Sequence, residues 1–360
     1  MRGNGNKVFD RKIRREGEKM KEIGVAIIGC GAITRVHLDA VVGSKMARLI
    51  AVVDSRKERA RETAARYSCQ WYEDYRTVLA DEAVEVIHLC TPHYLHSPMA
   101  IEGVRTGKHV LVEKPVAINV GEAEKMIREA KINGRYIGVS FQNRYNPTSL
   151  KAKELLESGQ LGPVRGIKGL VTWYRGHSYY AQSDWRGEYA TEGGGVLINQ
   201  AIHTLDLMQW FAGDVVSLKG NVSTRLLNDI IEVEDTADAT INFQNGARGI
   251  FYATNCYTVN SPVEIEIQCT KGSLSLRGEQ LILIKDNKQS ILVDEDGCNP
   301  KYKSYWGKSH GIAIACFYRS VLTNDSGGFI SVEEGIKSLQ IIEGIYKSSS
   351  SGKEIKIKNS

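Results

Sequence analysis

The sequence predicts an α/β chain of two domains, in which a doubly wound parallel sheet is followed by a domain of mostly antiparallel strands. A chain of 360 residues exceeds one average domain. Its first half alternates short apolar runs with helical patterns, as chains with parallel sheets do. Its second half is a series of strand-like segments with alternating apolar and polar residues, which is typical of an antiparallel sheet with one solvated or docked face.

Composition narrows the class of protein before any motif is considered. An apolar content of 42% is ample for two cores, and the net charge is only +5. Part of that charge lies in residues 1–22, which have no apolar segment of the kind found in signal peptides or membrane anchors. We interpret them as an extension that precedes the first domain, and translation of the native protein from Met20 is a hypothesis. No basic stripe with interleaved aromatic residues follows, so we expect neither nucleic acid nor membrane as a partner.

Seven cysteines are scattered along the chain, without a CxxC pair or a metal-like spacing. They indicate reduced thiols in a cytoplasmic protein. His93 and His96 have no cysteine or carboxylate at a suitable spacing, so no metal site is predicted.

The first strand leads into a glycine turn, in the stretch GVAIIGCGAITRVHLDAV that begins at Gly24. Gly29 and Gly31 allow a tight turn and close approach to a pyrophosphate, although Thr34 stands where a third small residue is usual. A second strand ends in Asp54, where a carboxylate accepts hydrogen bonds from an adenosine ribose. This favours NAD over NADP, and nearby Arg56 weakens the preference. The residues predicted to contact the cofactor here are Gly29, Gly31, Ala32, Ile33, Asp54 and Arg56.

Further elements continue the alternation. Helices are predicted over 57–67 and 75–80, and the near-continuous apolar strand VEVIHLCTP follows. Ligands of open α/β sheets lie beyond the carboxyl ends of the strands. The loop with Thr91, Pro92 and His96 is therefore predicted to face the cofactor.

The next strand ends in Glu113, Lys114 and Pro115, and Asn119 is predicted to cap the helix that follows. Because the residue before a proline is restricted to extended geometry, Lys114 is held at the end of the strand, where the nicotinamide is expected. A cis Lys-Pro bond is compatible with this position. An ordinary surface lysine is the alternative that spacing alone leaves open.

The second half reads as strands in VRGIKGLVTWY, SLKGNVSTRL, TADATINF, ARGIFYATNCY, VEIEIQCTKGSLSL and LILIKD. Helices over 310–322 and 332–347 are predicted to close this domain. Flexible segments are expected over 294–304 and in a tail from residue 348. The predicted organisation is an extension over 1–22, a nucleotide-binding domain over 23–144, a substrate domain over 145–348 and a tail over 349–360.

One apolar helix carries an unusual polar stripe, in GGGVLINQAIHTLDLMQWF from Gly193. Asn199, His203, Asp206 and Trp210 are spaced to share one helical face. Buried polar groups require partners, which here are either structural or a substrate. The glycines before the helix suit a backbone that passes close to a ligand.

Together, GCGAITRVH, CTPHYLH, the EKP at 113–115, FQNRYNP and GGGVLINQAIHTLDL resemble the Gfo/Idh/MocA oxidoreductases. The resemblance implies an N-terminal Rossmann domain, and a C-terminal α/β domain whose large, mostly antiparallel open sheet lines the substrate pocket. It also implies contacts between copies, as a homodimer or homotetramer. Cofactor contacts implied at the later positions are those of Glu113, Lys114 and Trp185.

By the same resemblance, Lys114 and His203 form the catalytic pair. His203 would accept the hydroxyl proton while Lys114 stabilises the oxygen, and Asn199 would contact a neighbouring substrate hydroxyl. Many sugar and inositol dehydrogenases of the family carry Asp where this chain has Asn199, which puts assistance by a carboxylate in doubt. Asp206 is interpreted as structural, either orienting His203 or capping a backbone amide. The other substrate contacts predicted are Tyr174 and Arg186 and, as an alternative to an interdomain hydrogen bond, Arg144.

Three functions fit this pattern. The first is NAD(P)-dependent oxidation of a secondary alcohol of a sugar, an inositol or a nucleotide-sugar. The second is glycoside hydrolysis by transient oxidation with a retained cofactor. The third is a non-catalytic sensor of NAD or sugar, which would have no need of Lys114 and His203.

Overall fold

The computed structural model describes residues 21–295 and 309–358. Most of the predicted extension and most of the predicted flexible segment 294–304 lie outside these ranges. The described chain contains two sheets with helices packed against them.

The first sheet has six strands, all parallel, in the order 3-2-1-4-5-6, which is the arrangement of dinucleotide-binding domains. Its central strand is buried at every residue, because helices cover both faces. The strands are β1 Ile23–Ile28, β2 Ala47–Val53, β3 Gln70–Tyr72, β4 Val86–Leu89, β5 His109–Glu113 and β6 Ile137–Ser140.

The helices between these strands agree with the sequence pattern. The helix predicted over 57–67 is confirmed, and the one predicted from residue 75 begins one residue later. Asn119 caps its helix as predicted, accepting a hydrogen bond of 2.9 Å from the amide of Glu122. The helices are α1 Thr34–Val42, α2 Lys57–Tyr67, α3 Arg76–Ala80, α4 His96–Arg105 and α5 Val120–Asn133.

The second sheet has nine strands in the order β14-β13-β12-β11-β7-β10-β9-β8-β15. Neighbouring strands are antiparallel except β7 and β10, as the mostly antiparallel prediction requires. Alternate residues of β7 are buried, so that one face of the sheet lies against helices. The strands are β7 Val164–Thr172, β8 Val215–Ser223, β9 Thr236–Phe243, β10 Arg248–Thr254, β11 Glu264–Cys269, β12 Gly272–Arg277, β13 Gln280–Lys285, β14 Lys288–Asp294 and β15 Ile355–Lys356.

Most of the later helices pack against this second sheet, and one of them packs against the first sheet. A 3-10 turn, Gln142–Tyr145, joins β6 to them. The helices are α6 Pro147–Glu157, α7 His177–Ala181, α8 Tyr189–Glu192, α9 Val196–Asn199, α10 Ile202–Ala212, α11 His310–Thr323 and α12 Val332–Ser351.

Two predictions about the C-terminal part were wrong. Helix α11 does not close the second domain: Ile314, Phe317 and Tyr318 pack into the core of the parallel sheet with residues of β1 and α1. The tail predicted from residue 348 is also ordered, since α12 continues to Ser351 and β15 pairs with β8. An amphipathic pattern shows that a helix has a core face but not which core it covers.

Within the described ranges, no helix combines the length and hydropathy needed to cross a membrane.

Candidate active site

A cavity of about 770 Å³ lies at the carboxyl ends of the parallel strands and is closed on its other side by the second domain. At its floor, the backbone of Gly29 has φ +95°, and a Cβ there would lie 2.5 Å from the carbonyl oxygen of Cys90. An added Cβ on Gly31 would meet no atom within 4 Å, which leaves room for a phosphate beside α1. The hydroxyl of Thr34 donates a hydrogen bond of 2.6 Å to the carbonyl of Gly29. Thr34 therefore stabilises the glycine turn, although it stands where a smaller third residue is usual.

Asp54 lies at the end of β2 on the same cavity wall. Its Oδ2 accepts the amide of Cys30 and its Oδ1 accepts the amide of Arg56, each at 2.8 Å. Each carboxylate oxygen keeps a lone pair for a ribose hydroxyl. The Arg56 guanidinium extends across the cavity and bonds Asp184 of the second domain at 3.0 Å. Ala32 and Ile33 line the wall between these groups.

Thr91, Pro92 and His96 line the cavity beyond β4. The ring nitrogens of His96 lie 3.0 Å from the Thr91 carbonyl and 2.7 Å from the Pro115 carbonyl. Burial lowers the pKa of His96, and a neutral ring has one N–H, so His96 can donate to one of these two carbonyls, which follow β4 and β5. The glycine turn, the open space at Gly31 and the carboxylate at Asp54 together fit a dinucleotide with a free ribose diol.

Lys114 follows the last residue of β5, and its bond to Pro115 is cis. Its Nζ donates to the backbone carbonyl of Asn199 at 2.7 Å. Burial lowers the pKa of Lys114 to about 8, against the opposing effect of Glu113 and Glu192. Lys114 can therefore exchange a proton close to neutral pH.

The sequence predicted one continuous helix carrying Asn199 and His203, and this prediction was wrong because the helix is interrupted between them. It consists of α9 and α10, which are separated by Gln200 and Ala201. In an unbroken helix the carbonyl of Asn199 would accept the amide of His203. The interruption frees that carbonyl for Lys114.

The side chain of Asn199 has a defined orientation. Its amide nitrogen donates to the buried carboxylate of Glu192 and to the hydroxyl of Tyr179 at 3.3 Å. The carbonyl Oδ1 is therefore the atom that Asn199 can offer to a substrate hydroxyl. Burial raises the pKa of Glu192 to about 7.

His203 lines the cavity near Lys114, and its Nδ1 has no hydrogen-bond partner among the residues that the structure describes. Burial and the charge of Lys114 lower the pKa of His203 to about 3, so the ring is neutral over the working range. The stripe residue Asp206 does not orient it: Asp206 forms two hydrogen bonds, of 2.7 and 2.9 Å, with the guanidinium of Arg144. Trp210 packs against the core.

Arg144 does not line the cavity, in contrast to its predicted substrate contact. Its remaining amino group donates to Glu334 of α12 at 3.0 Å, and only 6% of the residue is exposed. The alternative interdomain hydrogen bond is what the structure contains.

The segment TWYRGHSYYAQSDWRGEY, residues 172–189, is rich in aromatic residues and arginine, and it contributes a different set of residues from the one predicted. Tyr174 is 54% exposed and lies on the outer face, because residues alternate in direction beyond β7. Its neighbour Arg175 lines the cavity instead. Arg186, which was predicted, lies over the rings of Tyr179 at 4.7 Å and Trp185 at 4.6 Å.

Trp185 lies on the cofactor side, as its predicted contact requires. Its ring is 4.6 Å from that of His93, whose Nδ1 lies 2.8 Å from the carbonyl oxygen of Glu192. The glycines at 193–195, which were predicted to pass close to a ligand, are not among the residues that line the cavity. A Cβ on Gly195 would lie 1.9 Å from the carbonyl of Glu234, so these glycines allow close contact between two backbones.

Sequence reasoning missed several residues of the cavity. Strict alternation after β7 could have selected Arg175 over Tyr174. No local pattern indicates His310, which α11 brings to the cavity from the far end of the chain. In the part of the chain that is described, no group of three or more His, Cys, Asp or Glu could hold a metal ion.

The fold and the site define a class of protein, a two-domain oxidoreductase that uses a nicotinamide dinucleotide. Residues 23–141 match the model of the oxidoreductase family with an NAD-binding Rossmann fold, and residues 149–275 match the GFO/IDH/MocA C-terminal domain. The chain belongs to the Gfo/Idh/MocA family of NAD-dependent oxidoreductases.

Similar proteins include dehydrogenases of sugars and inositols. The scyllo-inositol 2-dehydrogenase (NAD(+)) of Bacillus subtilis is 26% identical over 76% of this chain and 80% of its own. The levoglucosan dehydrogenase of Pseudarthrobacter phenanthrenivorans is 25% identical over 81% of this chain and 82% of its own. The crystal structure of the WlbA dehydrogenase from Bordetella pertussis, in complex with NADH and UDP-GlcNAcA, superposes with a TM-score of 0.81 at 27% identity. It covers 94% of this chain and 99% of the other.

Proposed function

We propose that this protein is a dehydrogenase that transfers a hydride between NAD and a secondary alcohol of a sugar or polyol. The observation that carries the proposal is that Lys114 and His203 line the same cavity as the glycine turn and Asp54. A nicotinamide, when bound, gives or accepts the hydride. The protein's own residues must then bind the substrate, hold its oxygen and move one proton.

We assign the proton transfer to Lys114 rather than to His203. A general acid or base works best when its pKa is near the working pH, and Lys114 meets this condition. Burial and the charge of Lys114 lower the pKa of His203 by more than nearby Glu113 raises it, while Asn199 is neutral and Asp206 is bound to Arg144. Lys114 therefore accepts the hydroxyl proton when the alcohol is oxidised and returns it when the ketone is reduced. Neutral His203 holds the same oxygen by a hydrogen bond.

We further propose that the substrate carries an acidic group. Arg175 and Arg186 both line the cavity, beside the rings of Tyr179 and Trp185. Planar guanidinium groups bind carboxylates and phosphates through paired hydrogen bonds, and aromatic rings pack on sugar faces. The complex of the WlbA dehydrogenase with UDP-GlcNAcA supports this chemistry in a relative.

The test is the absorbance of reduced nicotinamide with NAD and NADP, across a panel of matched neutral and acidic sugars, inositols and UDP-sugars. We expect NAD-dependent turnover that favours acidic substrates, and its loss in Lys114→Ala. Arg186→Met should remove the preference for the acidic member of each pair and leave the neutral member unchanged. Product formation without net reduction of NAD would instead support glycoside hydrolysis by transient oxidation. Ligand binding without any chemistry would support a sensor.

We also propose that the protein self-associates in the cytoplasm through the outer face of its nine-stranded sheet. Ile250 of β10 is 62% exposed there, two residues before Tyr252 of the same strand, which pairs with Leu170 of β7. The free cysteines of the described chain fit a reducing compartment. Light scattering should give a dimer or tetramer for the parent and a smaller species for Ile250→Glu.

A further inference from the structure

The short helix α9 is held at both ends by residues from elsewhere in the chain. At its start, Glu234 accepts the three consecutive amides of residues 195–197. Its Oε2 accepts the first at 3.0 Å, its backbone carbonyl the second at 3.0 Å and its Oε1 the third at 2.9 Å. At the other end, the carbonyl of Asn199 accepts Lys114 Nζ at 2.7 Å. Backbone amides only donate and carbonyls only accept, so each of these bonds has one direction.

Glu234 supplies a cap that α9 lacks in its own sequence. The N-cap position of α9 is occupied by Gly195, whereas the residues that usually bind helix amides from this position, Ser, Thr, Asp and Asn, do so with a side chain. The capping carboxylate comes from a residue 39 positions later, just before β9. A cap from the adjoining loop would attach the helix only to that loop, whereas this one attaches α9 to the nine-stranded sheet.

Two glycines of the triplet before α9 permit this contact. A Cβ on Gly194 would lie 2.1 Å from the hydroxyl oxygen of Tyr346, which donates to Glu234 Oε2 at 2.8 Å. A Cβ on Gly195 would meet the carbonyl of Glu234 itself. The glycines are therefore explained by the close approach of Glu234 and Tyr346 to this backbone.

We propose that Glu234 is a positioning residue for the reaction: by fixing the start of α9, it sets the place of the Asn199 carbonyl and hence of the Lys114 amine. The proposal rests on the proposed function, because it concerns the residue to which we assign the proton transfer. Glu234 is 1% exposed and acts through α9 rather than by contact with substrate.

A helix of one turn transmits a displacement from one end to the other. Helices this short are marginal on their own, so the contacts at the two ends determine where α9 lies. Within the turn, the amide of Asn199 donates to the carbonyl of Gly195 at 3.0 Å, which joins the last residue to the first capped one. Loss of an amide bond at Glu234 should therefore move the Asn199 carbonyl away from Lys114.

Asp235 offers a matched comparison, because it is the next residue and is also buried. Its carboxylate accepts the amides of residues 225–227 at 2.9 to 3.2 Å. Those residues are not among the ones that line the cavity. A purely structural role predicts the same consequences for both carboxylates, whereas positioning predicts an effect at Lys114 for Glu234 alone.

The experiment follows the protonation of Lys114 in the full-length protein without using turnover. Trace acetic anhydride labels neutral amines only, and mass spectrometry of the peptide with Lys114 gives the labelled fraction against pH. In Glu234→Gln, one of the two backbone amides meets the amino group of the new side chain instead of an acceptor. Lys114 should then lose its carbonyl partner, which stabilises the ammonium form. We expect the midpoint to fall by about half a pH unit, which is about threefold more neutral amine on the acidic side. Asp235→Asn should keep the parent midpoint.

Glu234→Asp distinguishes an effect of position from an effect of charge. It keeps the negative charge but is one carbon shorter and cannot hold both amides, so its midpoint should also fall, and it decides the question where Glu234→Gln fails to fold. Burial and, to a smaller extent, Glu234 raise the pKa of Glu192. Loss of the charge of Glu234 through that route would ionise Glu192 and move the Lys114 midpoint upward, opposite to the expected shift. The titratable and charged groups that face Lys114 stay in every variant: Glu113, Glu192, Arg175, Arg186, His93, His203 and His310.

A parental midpoint in folded Glu234→Gln or Glu234→Asp would overturn the proposal, as would an equal fall in Asp235→Asn. Binding of NADH, followed by fluorescence, reports that each variant is folded. In the active enzyme, kcat should fall at least about tenfold in both Glu234 variants while NADH affinity is unchanged, and a parental kcat with a shifted midpoint would reject the role in the reaction. The expected shift in a protein without dehydrogenase activity would retain the placement of the amine by Glu234 and reject the proposed function.

Discussion

Lys114 and His203 face the same part of the cavity, but their environments differ. At Lys114, Glu113 and Glu192 oppose the effect of burial on the pKa, whereas at His203 the charge of Lys114 adds to the effect of burial and outweighs Glu113. A neutral imidazole with a pKa near 3 can hold a hydroxyl but is a weak base. The neutral side chain of Asn199 supplies no further carboxylate, which supports our proposal that the lysine has the acid–base role.

This assignment predicts how ketone reduction depends on pH. The ammonium form of Lys114 predominates below pH 8 and supplies the proton, so kcat should be level near neutrality and fall about tenfold per unit well above pH 8. His203→Gln should lower kcat but keep the same fall of kcat above pH 8, because Gln still donates a hydrogen bond. The measurement is the pH profile of both enzymes with saturating NADH. Loss of this fall of kcat in His203→Gln would assign the proton to the histidine.

At the scale of elements, the residues that were predicted best are those whose positions follow from local backbone geometry. Gly29 and Asp54 follow parallel strands and could be placed because such strands end at one edge. Asn199 and His203 were placed together correctly, but for an incomplete reason. Their helix is broken between them, and the break is stabilised by a contact with Lys114 that no local pattern shows. The choice of Tyr174 over Arg175 failed by one residue, which in an extended strand reverses the face.

The segment between α7 and α8 reaches from the second domain to the cofactor side of the cavity, and we expect it to influence cofactor preference. Asp184 holds the guanidinium of Arg56, which would otherwise be available to a 2′-phosphate. Because the pair is exposed, its effect should be modest. Asp184→Ala should tighten NADPH binding about five- to tenfold and change NADH binding less than about threefold, as measured by fluorescence titration.

The matched control for this prediction is the double variant Arg56→Ala with Asp184→Ala. It removes the guanidinium as well as its partner and should lose the gain in NADPH affinity. Equal changes for NADH and NADPH in Asp184→Ala would contradict the role of the pair.

At the scale of the whole molecule, the two domains are joined by more than one chain crossing. Helix α11 returns from the second half to the core of the first sheet, and α12 packs on both β8 and α5. The 3-10 turn that links the domains carries Arg144, which binds α10 through Asp206 and α12 through Glu334. A buried ion pair that does not line the cavity therefore connects the two domains that form its walls.

We expect this junction to control stability rather than substrate affinity. Arg144→Met removes the hydrogen-bonded counter-charge of Asp206, which is 1% exposed, at a cost of about 3–5 kcal/mol. Glu334→Gln is the matched control, because its side chain is 40% exposed and its loss should cost less than about 1 kcal/mol. Thermal and urea unfolding should rank the variants in this order, with KM unchanged in both. A raised KM with parental stability in Arg144→Met would return the arginine to the substrate site.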